Sequence, residues 1–149
     1  MTPWTRITAA AAAMALLGLG PLARGQESIT DLEGKNARRL DAAELKMLLA
    51  DARVEYRSLR SIDYNWENRA DGTIANGHAV MSRIQGIIPG QGSWQISPRG
   101  TYCVDSTYGR SQPFDLKYCA WIYKLEDRYF LVIPPNPDGK AVPLSVKPL

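Results

Sequence analysis

From Ile62 onward the chain keeps an apolar period of two, interrupted by turn signals, and this rhythm limits the fold more than any other feature. Ile62, Tyr64 and Trp66 alternate with Asp63, Asn65 and Glu67, the pattern of a strand with one buried face. Asp71-Gly72 is a strong hairpin signal, and Thr73 to Arg83 reads as the returning strand, with Gly77 placed for a bulge. Gly86 to Gly92, with three glycines and Pro89, reads as a loop. Trp94 and Ile96 alternate with polar neighbours, Pro98-Arg99-Gly100 turns the chain, and Thr101 to Ser106 runs back. Beyond a Thr107–Asp115 loop, Lys117 to Lys124 is rich in aromatic and branched residues, which suit a pleated surface. A turn at Glu126-Asp127 leads to Arg128–Ile133, and after Pro134–Gly139 an edge strand is expected over Lys140–Val146, weakened by Pro143. About seven short strands of this kind predict a small antiparallel barrel or a strongly curved sheet.

One segment has the other period. Leu40 to Arg53 reads as a helix: Asp41 can cap it, Glu44 three residues on completes a capping box, and Leu40 with Leu45 makes a hydrophobic staple. Leu45, Leu48, Leu49 and Ala52 then recur along one side, a stripe that must be laid on something. Residues 26–39 are polar and lack a period, so they read as a flexible lead-in. The expected fold class is mainly β, with one N-terminal helix packed on the sheet, in a single domain over 40–149.

The first 25 residues follow a different logic. Arg6 precedes an apolar or small-residue run from Ile7 to Leu22, broken by Gly18, Gly20 and Pro21 and ending in Ala23-Arg24-Gly25. This is the order of a secretory signal peptide, with cleavage expected near Gly25. A membrane anchor would need about 20 uninterrupted apolar residues. No cysteine follows the site, so lipid attachment there is not available. The expectation is a periplasmic or secreted chain with no membrane span after cleavage. Two of the 18 basic residues, Arg6 and Arg24, fall in the leader, leaving 16 against 15 acidic residues. That balance argues against a nucleic-acid partner, which calls for a basic face.

Cys103 and Cys119 are the only cysteines, and in an exported chain an even pair reads as one disulfide. It would close a loop of about 17 residues, worth on the order of 3 kcal/mol. Two cysteines and a lone histidine make a poor zinc site, which wants four ligands; no metal and no cofactor are expected. If the cysteines are bonded they share a face, which puts Tyr102, Val104, Ala120 and Ile122 on the core side. Trp121 and Tyr123 then lie on the disulfide face and need a cover. Either the Leu45/Leu48/Leu49 stripe supplies it, or a ligand or partner does.

Catalytic motifs are scarce. His78 is the only histidine, so a two-histidine metal site or an HExxH site is excluded, and no serine sits in a G-x-S-x-G elbow. Asp63 and Glu67 share a strand face and could act as a carboxylate pair; a solvated strand edge looks the same. Trp66, Trp94 and Trp121 either fill a core or line a pocket. With Tyr123 they are the possible binding residues.

Several short pieces point one way: the leader, Asp41-x-x-Glu44-Leu45, Trp66 with Asp71-Gly72-Thr73, Gly92-x-Trp94-x-Ile96, Gly100-x-Tyr102-Cys103, and a second cysteine before an aromatic strand. Over about residues 40 to 133 the chain resembles a group of small proteobacterial envelope proteins known as a domain of unknown function. The resemblance implies a periplasmic β-rich domain and assigns no catalytic residues. The expected function is a non-enzymatic exported protein that binds a protein partner or envelope component. The alternatives are a barrel holding a small apolar ligand and an envelope hydrolase using Asp63 or Glu67.

Overall fold

The computed structural model describes residues 27–81 and 86–149. The leader with its boundary near Gly25 lies outside them, and so does the Arg83 end of the strand expected after Asp71-Gly72. In chain order the elements are β1 (Glu27–Ser28), α1 (Ile29–Gly34), β2 (Arg38–Arg39), α2 (Ala42–Leu49), β3 (Ala52–Arg57), β4 (Ile62–Asn68), β5 (Thr73–Met81), β6 (Ile88–Ile96), β7 (Tyr102–Tyr108), β8 (Phe114–Leu125), β9 (Arg128–Ile133) and β10 (Lys140–Pro148).

β3 to β10 form a closed antiparallel barrel of eight strands, each pairing with the next and β10 returning to β3. β1 adds to β10 and β2 to β8, outside the ring. The structure is thus the mainly β class expected, a small antiparallel barrel carrying helices. Closure through β9 leaves Trp121–Leu125 of β8 without an open edge on that side.

α2 is shorter than the Leu40–Arg53 helix expected. Asp41 caps it by accepting from Glu44 N at 2.8 Å, and Glu44 accepts from Asp41 N at 3.1 Å. The helix stops where Ala50 turns to an extended backbone, φ −70° and ψ 132°; Asp51 follows at φ 50°, and Ala52 points inward as the first residue of β3. Leu40, Leu45 and Leu49 are buried with the barrel residues, so α2 closes one end of the ring. Gly100, in the turn between β6 and β7, lies against the start of this helix at φ 69°. In an up-and-down barrel the β4–β5, β6–β7 and β8–β9 turns therefore share the α2 end. The β3–β4, β5–β6, β7–β8 and β9–β10 connections share the other.

Three further expectations are corrected. Residues 26–39 are not without regular structure: Ser28 caps α1 in a capping box with Asp31, and Ile29 and Leu32 are buried beneath it. The 86–92 segment is not wholly loop, because β6 begins at Ile88. Its glycines mark close approach rather than a turn: a Cβ at Gly92 would sit 2.5 Å from Ser106 Cα, and one at Gly90 would strike the Tyr108 ring. β10 is no edge strand, since it pairs β9 over 140–144 and β3 over 144–148. Pro143 falls between the β1 and β3 pairings, where β10 has no ladder partner on that side, and there a missing N–H is tolerated. The register does slip between Ile74 and Gly77, beside Asn76 at φ 49°.

Candidate functional site

Cys103 and Cys119 face each other across β7 and β8 and are bonded, with sulfurs 2.01 Å apart. Tyr102, Val104, Ala120 and Ile122 point into the barrel and are buried, so the disulfide lies on the outer face. Trp121 and Tyr123 share that face, and the expectation that the α2 stripe covers them is corrected. α1 does so instead: Ile29 and Leu32 form a second cluster with Tyr123, Leu125, Phe130, Val132 and Ala141. Tyr123 Oη donates to Glu33 Oε1 at 3.1 Å, and burial raises its pKa. The Arg39 guanidinium stacks on Trp121, 4.9 Å from the ring centroid, a cation–π contact that β2 holds in place. What looked like a docking patch is largely covered by the chain's own N-terminal segment.

The four aromatic residues singled out from the sequence do not meet in one pocket. Trp66 is fully buried in the barrel, and its Nε1 donates to Asn68 Oδ1 at 2.9 Å and to Tyr102 Oη at 3.1 Å. Tyr102 Oη in turn donates to Asn68 Oδ1 at 3.1 Å. Trp94 packs edge-on against Tyr102, and its Nε1 reaches the Arg69 carbonyl at 2.8 Å, tying the β4–β5 turn to the wall. Trp121 and Tyr123 lie outside the ring.

Tyrosines fill the interior: Tyr64 and Tyr102, on the faces expected to be buried, are joined there by Tyr56, Tyr108 and Tyr118. Tyr56 stacks on Tyr64 at 5.3 Å and meets Trp66 and Tyr118 edge-on at 5.8 and 6.2 Å. Tyr64 meets Tyr108 at 5.4 Å, and Tyr108 stacks on Phe114 at 5.5 Å toward the end away from α2. These spacings are direct ring contacts. Burial raises the pKa of Tyr56, Tyr102 and Tyr118 far above the ordinary tyrosine value and pushes Tyr108 up to about 12. The signal was present in the sequence, since Tyr56, Tyr64, Tyr102 and Tyr118 all fall on the alternating inward positions.

Two carboxylates of the outer face, Glu67 and Asp63, are engaged in structural contacts. Glu67 accepts from Arg53 at 3.0 Å, from Asn76 Nδ2 at 3.0 Å and from Arg69 at 2.5 Å. The Arg53 hydrogen bond leads in holding its carboxyl below the usual range, opposite to what a general acid needs. Asp63 is exposed and lies 3.7 Å from Arg57. His78 is half-buried and stands opposite Asn65 in the ladder. Among the described residues no group of three or more His, Cys, Asp or Glu side chains could hold a metal ion.

Depressions on the outer surface include one of about 440 Å³ around Arg53, Glu67 and Arg69 and two of about 560 and 570 Å³. One is lined by Glu55, Arg57, Asp63, Asn65 and His78, and the other flanks the disulfide beside Asp71, Trp94 and Lys117. The end of the barrel opposite α2 is different in character. Leu59, Val80 and Ile87 are exposed there, as are Arg60, Arg110 and Asp138, and Val80 stands opposite Asp63 in the ladder. No helix of the described residues is long and apolar enough to cross a membrane. No protein-family model, curated protein or solved structure matches this chain.

Proposed function

We propose that this chain is an exported, periplasmic, non-enzymatic barrel that engages a protein or another envelope component with its outer surface. The observation that carries the reading is the interior: Tyr56, Tyr64, Trp66, Tyr102, Tyr108 and Tyr118 occupy the space a small ligand would need, in ring-to-ring contact. Recognition is then left to the outside. The leader motif over residues 1–25 and the resemblance to envelope proteins support the compartment, and the Cys103–Cys119 bond fits an oxidising one. The outward carboxylates are held as ion pairs, which favours a binding role over hydrolysis.

Thermal unfolding with and without a panel of small apolar ligands tests this. A ligand held in the barrel at one hundred times its Kd would raise Tm by about 10 °C. The reading expects no shift. A saturable rise of that size, with a change in Trp66 fluorescence, would favour the ligand-holding barrel instead.

A further inference from the structure

β8 is twice as long as β9, 12 residues against 6, and the difference leaves part of the wall unpaired. β9 pairs Trp121–Leu125 and stops at Ile133. β7 pairs Phe114–Ala120 on one side, and among the described residues no strand pairs Phe114–Cys119 on the other. Cys103 and Cys119 stand 4.0 Å apart at Cα, the close spacing of an antiparallel pair that exchanges no main-chain hydrogen bond. The N–H and C=O of Cys119, and by the period of two those of Lys117 and Asp115, therefore point away from β7 along the free side. The β9–β10 connection folds on itself instead of reaching them: Asn136 N donates to the Pro134 carbonyl and Gly139 N to the Asn136 carbonyl, both at 2.9 Å. Burial agrees with an open seam. Phe114, Leu116 and Tyr118 are only half-buried, whereas Val104, Ser106 and Tyr108, opposite them on β7, are buried.

A free strand edge pairs with another extended strand, and the charges on this one select its own copy. The edge carries Asp115 and Lys117, both exposed. Lys117 binds Asp105 on β7 at 2.5 Å, and Asp115 accepts from Thr107 Oγ1 at 2.8 Å. We propose that two copies associate by laying their β8 edges antiparallel about a two-fold axis through Leu116. In that register Asp115 stands opposite Lys117 of the second copy, twice over by symmetry, and the outward N–H and C=O of these residues exchange main-chain hydrogen bonds. Lys117 then lies between its own Asp105 and Asp115 of the second copy. Phe114 comes opposite Tyr118 and Leu116 opposite Leu116, so the half-buried residues of the two copies cover one another. A shift of two residues either way puts Lys117 opposite Lys117 or Asp115 opposite Asp115, and like charges directly opposite repel. Pro113 faces Cys119 and, with no N–H to give, ends the ladder. The contact is one short strand from each copy, so association is weak and follows concentration. It depends neither on the compartment nor on what else the outer surface binds.

The test is sedimentation velocity of the disulfide-bonded protein over a concentration series, with amide exchange at Asp115 and Lys117 followed by NMR on the same samples. A reversible dimer is expected, and those two amides should slow as it fills. Asp115→Lys sets lysine opposite lysine, and Lys117→Asp sets aspartate opposite aspartate; each should weaken self-association about tenfold. Mixed in equal amounts, the two variants regain both opposite-charge pairs and should form a heterodimer about as tight as the parent dimer. An unchanged Tm shows that each variant folds. If Lys117→Asp fails to fold beside Asp105, the amide exchange of the parent protein still decides. A monomer at millimolar concentration would overturn the proposal. So would amides at Asp115 and Lys117 that exchange as fast in the dimer as in the monomer, single variants that pair as well as the parent, or a mixture that pairs no better than either variant alone.

Discussion

Raising the pH attacks the barrel from inside. An unfolded tyrosine ionises near pH 10, whereas burial holds Tyr108 up to about 12 and Tyr56, Tyr102 and Tyr118 higher. Each folded pKa is raised, so the neutral rings contribute full stability below about pH 10 and lose it as pH climbs toward the folded values. Above pH 10 each tyrosine that stays protonated in the fold and ionises in the unfolded chain removes about 1.4 kcal/mol per pH unit. Four of them remove about 5 kcal/mol by pH 11, which matches the lower range of a domain's whole stability of about 5–15 kcal/mol. Tyrosinate absorbance and circular dichroism followed together should show little ionisation of these rings up to about pH 10.5, then a cooperative jump coincident with loss of the fold. Smooth titration of all the tyrosines near pH 10 with the β signal intact would refute the reasoning, because it would mean water already reaches the rings.

The hydroxyls should also differ one by one. Tyr102→Phe removes the group that joins Trp66 and Asn68 and should cost about 1–3 kcal/mol in denaturant titrations. Tyr118→Phe removes a buried hydroxyl that lies beside the Tyr56 hydroxyl without a well-formed hydrogen bond, and should cost less than Tyr102→Phe. Replacing both cysteines by serine should cost on the order of 3 kcal/mol, and the native protein should resist alkylation until reduced. Leu32→Ala, on the buried face of α1, should destabilise by about 2–3 kcal/mol and make Tyr123 reachable by a quencher. Glu67→Gln should flatten the acid limb of the stability curve: its lowered carboxyl pKa stabilises the fold above about pH 4 and loses that contribution as pH falls.

The alternating strands were legible because a half-buried wall repeats every two residues, and the cysteine pair was legible because Cys103 and Cys119 are the chain's two cysteines behind a leader motif; the bond between them then put Tyr102 and Ala120 on the inward face. α1 was not: six residues with only Ile29 and Leu32 buried give less than two turns of periodicity, and its cap pairs Ser28 with Asp31 where Glu or Gln is usual. That omission carried over to Trp121 and Tyr123, whose cover comes from the segment read as a lead-in. The start of β6 was hidden because Gly90 and Gly92 answer to neighbouring chain, the Tyr108 ring and Ser106, rather than to local turn geometry.

The central claim is an exported, disulfide-bonded barrel whose interior is its own. The intact mass of the protein recovered from the periplasm after expression with its own leader, measured under native conditions, tests it most directly. The account predicts residues 26–149, less the two hydrogens of the Cys103–Cys119 bond, with no small molecule attached. A chain retaining residues 1–25, free thiols, or a co-purifying apolar ligand that survives dilution would contradict it.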